Sequence, residues 1–393
     1  MKEIEKEVMQ PWQRVMMAVN HKEPDRVPFD LGATESSSIS LKAYSVLRHH
    51  FGLPDKEPEI LSFGGQLAQP DTDICKLLGV DTRRITRNNL SSWKLVVKEN
   101  EDAKWFSDEW GAIWKMPKKD GHYFDMVANP LRGADFDAVH SYKWPDGNDP
   151  ALAKELADYT KKVFSESHAA LVLDARIGNG FFHTGAILEG YEDFFVDLAY
   201  DPDKVNYIMD HILELKLNYF NTLLEEIGNQ VHIIRELDDL GSQQGLLISP
   251  EMYREFIKPR EKKLFEFIKR KAPGVKILFH SCGSVYDIIP DLIEIGVDIL
   301  NPVQVTAASM DSARLKREFG SEITFWGGGI DTQQVLPHGT PQEVRDEVKR
   351  RIDDFAPGGG FVFATVHNIQ EDVPVANVIA LWETLMEYGV YHL

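Results

Sequence analysis

The strongest constraint on this chain is an alternation repeated along its whole length. Short apolar, β-branched runs lie at 27–31, 80–85, 169–173, 231–237, 275–279, 298–300, 323–326 and 361–365, with segments of helical spacing between them. The runs after residue 160 lack the in–out pattern of a half-exposed strand, so they read as strands covered on both faces. Helix start signals stand in the right places. Asp201 and Pro202 form an N-cap with proline at the first helical position, and Thr340 to Glu343 is a capping box. Eight such units predict an α/β fold, a (β/α)8 barrel of the TIM type, with N-terminal helices including Pro11–Val19. A doubly wound open sheet is the alternative. No G-x-G-x-x-G follows the first strand, so its dinucleotide-binding version has no support.

Residues 90–126 break the pattern. They are rich in Trp and Lys with alternating polar and apolar positions, and predict a β-hairpin excursion inserted into one barrel domain spanning 1–393. Trp93, Trp105, Trp110 and Trp114 read as a small core of that insertion rather than a stacking platform. The net charge of −19 argues against nucleic acid or an anionic membrane as partner. Two cysteines, Cys75 and Cys282, cannot make a disulfide framework at this size. Cys75 falls on an apolar helical face with Ile74, Leu77 and Leu78, as a core residue would. No run of about 18 apolar residues occurs, and the start MKEIEKEVMQ lacks the apolar core of a signal peptide. A cytoplasmic protein is expected.

In a barrel, chemistry collects where strands end and the following loops begin. Here those ends carry Asp30 and Gly32; Asp174 and Arg176; Glu236, Asp238 and Asp239; His280 and Cys282; Asn301 and Gln304; Gly327–Gly329 and Asp331; and His367 to Gln370. His280 and Cys282 are two apart, so in extended chain they point to the same side. An imidazole and a thiolate suit zinc, and His367 would make a third ligand with a fourth position left open. Glu236 is a candidate fourth ligand, or a group that fixes an imidazole tautomer. The plain alternatives are a half-buried histidine beside an inert cysteine, a helix-end polar residue at 367, and an ion pair at 236. Gly328 and its neighbours serve either close packing or approach of backbone to a ligand. His183, in GNGFFHTG just past a strand end, is within reach of the same pocket.

Longer stretches carry a family resemblance: LGVDTR (78–83), ELDDLGSQQGLLISPEMYREFIKP (236–259), FHSCGSVYDIIPDLIEIGVDILNPVQ (279–304), WGGGIDTQQVLPHGTPQEV (326–344) and GGFVFATVHNIQEDVPVANV (359–378). The chain resembles the uroporphyrinogen decarboxylase superfamily, and within it the cobalamin-dependent methyltransferases. The resemblance implies a distorted (β/α)8 barrel, agreeing with the strand count. Decarboxylases of the superfamily bind porphyrinogen carboxylates through arginines in an N-terminal P-x-W-x-M-R-Q-A-G-R segment. The matching stretch here, FDLGATESSSIS after Pro28, has none.

The methyltransferase branch holds zinc with an H-x-C pair, matched by His280 and Cys282, and a distant cysteine, for which His367 stands here. The resemblance therefore implies a zinc-dependent methyltransferase moving a methyl group between a small substrate and the cobalamin of a separate corrinoid protein. No D-x-H-x-x-G corrinoid-binding segment occurs in the chain itself. The small molecule is a methoxy compound or other methyl donor, or a thiol acceptor; exchange of cysteine for histidine favours the methoxy compound. On this expectation Asp238, Asp239, Asn301 and Gln304 orient the substrate, Glu236 acts as acid–base or ligand, and a homodimer is possible. Two alternatives stay open: decarboxylation of a smaller acid by Asp30, or by Asp174 with Arg176, and a non-catalytic tetrapyrrole-binding protein.

Overall fold

The computed structural model describes residues 9–86, 92–174 and 177–391. Seven parallel strands hydrogen-bond in chain order: Thr82–Ile85 (β1), Ala170–Leu173 (β2), Ile233–Leu237 (β3), Lys276–His280 (β4), Ile299–Asn301 (β5), Thr324–Trp326 (β6) and Phe361–Val362 (β7). Residues 27–30 close the ring. Asp30 N–H donates to the Phe363 carbonyl at 2.9 Å, and Phe363 N–H to that of Pro28 at 2.9 Å. On the other side Asp81 N–H donates to the Phe29 carbonyl at 2.8 Å. Seven of the eight predicted strands are therefore present in the predicted order, and 27–31 takes the eighth position through isolated backbone bridges rather than as a regular strand.

Strand pleating divides the apolar residues into two cores. One set fills the barrel: Ala170, Val172, Ile233, Leu278, Ile299, Trp326 and Val362. The other, including Leu171, Ile234, Phe279, Leu300 and Phe361, lies between strands and helices. The helix Pro11–Val19 belongs with the inner set through Val15, Ala18 and Val19. It seals the end where strands begin, with Gly360 N–H donating to the Ala18 carbonyl and the Thr324 hydroxyl to that of Val19. The opposite, C-terminal rim stays open for a site.

Expected caps form. The Asp201 carboxylate accepts from Lys204 N–H at 3.2 Å, opening Pro202–Ile227. Thr340 and Glu343 bond reciprocally at the start of Pro341–Phe355. Beyond the predicted hairpin, the excursion is a four-stranded antiparallel sheet of Lys98–Glu99, Ala103–Ser107, Ile113–Pro117 and Asp125–Ala128; residues 87–91, at its approach, lie outside those described. Phe106 of this sheet and Phe124, just before its last strand, pack with Phe63 at ring-centroid distances of 5.1–5.9 Å. That cluster ties the excursion to the loop Phe63–Gln66. No described helix is long and apolar enough to cross a membrane.

Candidate active site

Parity along β3 and β4 decides what reaches the rim. Ile233 and Leu278 point into the barrel, so Arg235, Leu237 and His280 share their face, while Ile234, Glu236 and Phe279 point to the helices. His280 is followed by a turn that returns Cys282 to it, with Sγ 3.5 Å from His280 Nε2. Asp239, on the loop after β3, brings a carboxylate oxygen to 3.6 Å from the same nitrogen. Two glycines make this approach possible. A Cβ on Gly283 would lie 2.5 Å from the carbonyl carbon of Gly241, so the two loops cross backbone on backbone, and Gly283 has φ of +79°. Cys282 N–H donates to Asp239 Oδ1 at 3.0 Å and fixes that crossing.

Asn301, at the end of β5, sets the histidine. Its side-chain N–H donates to the Trp326 carbonyl at 2.9 Å, which turns Oδ1 toward His280 Nδ1 at 2.7 Å. Ser36 donates to the same oxygen at 3.1 Å. The imidazole proton therefore sits on Nδ1, and Nε2 offers its lone pair to the space shared with Cys282 and Asp239. Burial, together with the nearby Arg235 cation, pushes the His280 pKa down to about 4, so the ring is neutral at pH 7. Burial and the Asp239 carboxylate push the Cys282 thiol up. Asp239 is held below the usual carboxylate range in spite of its burial, by His183 and His280.

Asp239, His280 and Cys282 have their ligand atoms within 4.8 Å of one another, a set that suits one metal ion. Donors bonded to one tetrahedral zinc at about 2.0–2.3 Å lie roughly 3.3–3.8 Å apart, and the observed 3.5 and 3.6 Å fit. The donor types fit as well, with one neutral imidazole, one thiol and one carboxylate.

The other sequence candidates divide into those that face this site and those that do not. His367 lines the same cavity but is exposed and lies outside the metal-spaced set, where Asp239 takes the third place. His183 lines the cavity with Nδ1 3.4 Å from Asp239. Gln304 lines it too, and accepts from Gly283 N–H at 2.9 Å. Asp174 is on the wall, bonded to Arg84 at 2.9 Å and Arg235 at 3.0 Å; Arg176 lies outside the described residues.

Five expectations need correction. Asn301 is enclosed behind His280 and does not line the cavity, so it orients the imidazole and not a substrate. Glu236 points to the helix layer, paired with Lys216 at 2.8 Å and away from the site, because it has the wrong parity. Asp238 accepts N–H bonds from Phe181, Phe182 and His183, each at 2.8 Å, so it anchors the start of Phe182–Glu189 and faces no ligand. Burial outweighs those bonds and raises its pKa to about 7. Asp30 is fully enclosed, accepting from Thr82 and Trp326 at 2.7 Å; burial raises its pKa. Gly328 packs against Val303, Val305 and Phe355 instead of lining the cavity.

Sequence reasoning missed Ser36, Arg235 and the insertion's aromatics. Trp93, Trp110 and Trp114 line the cavity with Phe106 and Phe124, so the excursion supplies a wall; Trp105 does not line it. The signal was present in Arg235, an ionisable residue inside an apolar strand at inward parity.

The comparisons accord with this architecture. Residues 115–388 match the family model described as Uroporphyrinogen decarboxylase (URO-D). A uroporphyrinogen decarboxylase of Pseudoalteromonas translucida is 24% identical over 196 residues, 49% of this chain and 51% of the relative. That of Legionella pneumophila subsp. pneumophila is 25% identical over 271 residues, 67% of this chain and 72% of the relative. The chain thus spans about half the length of the first of these and more of the second. A methyltransferase from Methanosarcina mazei superposes with a TM-score of 0.65 over 97% of this chain and 99% of its own, at 18% identity, a likeness of fold. With the family model matched over most of the barrel, the chain belongs to the uroporphyrinogen decarboxylase (URO-D) family.

Proposed function

We propose that the chain is a corrinoid-linked methyltransferase, moving a methyl group between a small substrate and the cobalamin of a separate corrinoid protein. The observation behind this reading is the convergence of Asp239, His280 and Cys282 at the C-terminal rim, with the His280 Nε2 lone pair turned toward Cys282 and Asp239. These three would hold zinc, with His367 close by on the cavity wall. Bound there, zinc would supply Lewis acidity, either to an ether oxygen or to a thiol. The chain's own residues do the rest. Asn301 keeps the imidazole in its donating tautomer, Asp239 holds the Cys282 loop, and the aromatic wall excludes water from a small substrate.

Decarboxylation of a small acid is the second reading, favoured by the family model and by Asp174 and Arg235 on the cavity wall. One experiment separates the two. Purified protein, zinc and a corrinoid protein are incubated with methoxy compounds or thiols while the cobalamin spectrum and released carbon dioxide are followed. Methyl transfer lost in His280→Ala and Cys282→Ala together with zinc supports the first reading. Carbon dioxide release with no cobalamin change would replace it by the second.

A further inference from the structure

The cavity of about 960 Å³ has, among the described residues, Arg84 and Arg235 on its wall, and Arg235 keeps one edge of its guanidinium without a protein partner. Arg235 lies one inward layer below His280, on the neighbouring strand, since Leu237 pairs with His280 and Arg235 with Leu278. Its side chain is 2% exposed. One terminal nitrogen donates to Asp174 at 3.0 Å, and Nε has no partner. Asp174 also bonds Arg84, so its charge does not serve Arg235 alone. Glu35, Asp108, Glu109 and Asp239 line the cavity too; Asp108 accepts from Trp110, Ala112 and the Trp114 indole, and Asp239 from Cys282, and no ion pair of Arg235 with any of the four is seen.

A guanidinium with its Nε edge unused matches the two oxygens of a carboxylate. The same cavity is lined by the rings of Phe106, Trp110 and Trp114, which favour a flat apolar body. We infer that the cavity takes an aromatic acid, its carboxylate on Arg235 and its ring against the aromatic wall. This names the small substrate of the site proposed above and rests on that reading for its role, though binding itself does not require it.

The test is a calorimetric titration of the full chain, without zinc or corrinoid protein, using 4-methoxybenzoate and its neutral isostere 4-methoxybenzamide. The acid is expected to bind at least tenfold tighter than the amide. In Arg235→Gln the acid should lose that advantage while the amide is unaffected, and Arg235→Lys should lie between. Equal binding of acid and amide by the wild type, which needs no folded variant, overturns the inference. So does an unchanged preference in Arg235→Gln. Preferential acid binding with no methyl transfer would leave this inference standing and remove the methyltransferase. Transfer from neutral methoxy compounds, with no preference for acids, would do the reverse.

Discussion

Asn301 holds His280 from behind, its amide oxygen 2.7 Å from Nδ1 and its amide nitrogen anchored on the Trp326 carbonyl. The pair determines which imidazole nitrogen faces Cys282. In Asn301→Ala the ring loses its orienting acceptor, leaving Ser36 at 3.5 Å. Zinc affinity should fall about 10–100-fold, the usual effect of removing such a partner. Competition against a chromophoric chelator measures it, and unchanged affinity would remove Asn301 from the site.

Glu236 yields a prediction opposite to its sequence reading. Lys216 is 1% exposed and Glu236 is its ion-pair partner, so Glu236→Ala strands a buried cation. The cost should be about 3–5 kcal/mol in urea unfolding, with bound zinc unchanged in the folded fraction. Loss of metal at full stability would mean that the carboxylate ligates after all.

The contrast between these residues explains what the sequence made legible. Eight apolar runs and the caps at Asp201 and Thr340 announce a barrel, because local propensity and burial agree there. The pairing of His280 with Cys282 follows from spacing of two at a strand end. Glu236 was misassigned because every residue of β3 is buried, so the side it faces is fixed by pleat register and not by hydropathy. Asp238 and Asp239 are adjacent, yet one caps a helix and the other faces the metal-spaced set. That choice is made by the loop's path around Gly180, where a Cβ would sit 2.4 Å from the Asp238 carboxyl carbon. The tryptophans of the excursion line the cavity because of where its sheet folds back, a tertiary relationship no local pattern encodes.

Gly283 is the most sensitive point of the loop crossing. Alanine there combines a left-handed backbone, φ +79°, with a Cβ 2.5 Å from Gly241. The backbone alone costs about 1–2 kcal/mol, and the clash must displace one of the two loops. Gly283→Ala should lower both stability and zinc affinity. Gly274→Ala, with nothing within 4 Å and no positive φ, should be close to neutral. Thermal melts of the two variants, with zinc titrations alongside, check this. Equal behaviour would mean that the crossing tolerates a side chain.

His232 supplies a pH dependence remote from the site. Its Nδ1 accepts from Leu171 N–H at 3.0 Å, and its ring stacks on Trp12 at 5.7 Å. Burial lowers its pKa from 6.5 to about 4. Protonation would also set N–H against N–H at the Leu171 contact. In the unfolded chain the ring takes up its proton near pH 6.5, whereas the native ring resists until about 4. The unfolded state thus binds more protons in that window, and stability falls as pH drops through it. The loss from this one group is at most about 3 kcal/mol by the usual conversion of a pKa shift. His232→Asn keeps a side-chain acceptor for Leu171 but cannot titrate. Urea midpoints at pH 7.5 and 4.5 should therefore diverge less in the variant than in the wild type. An identical divergence would assign the acid sensitivity to other groups.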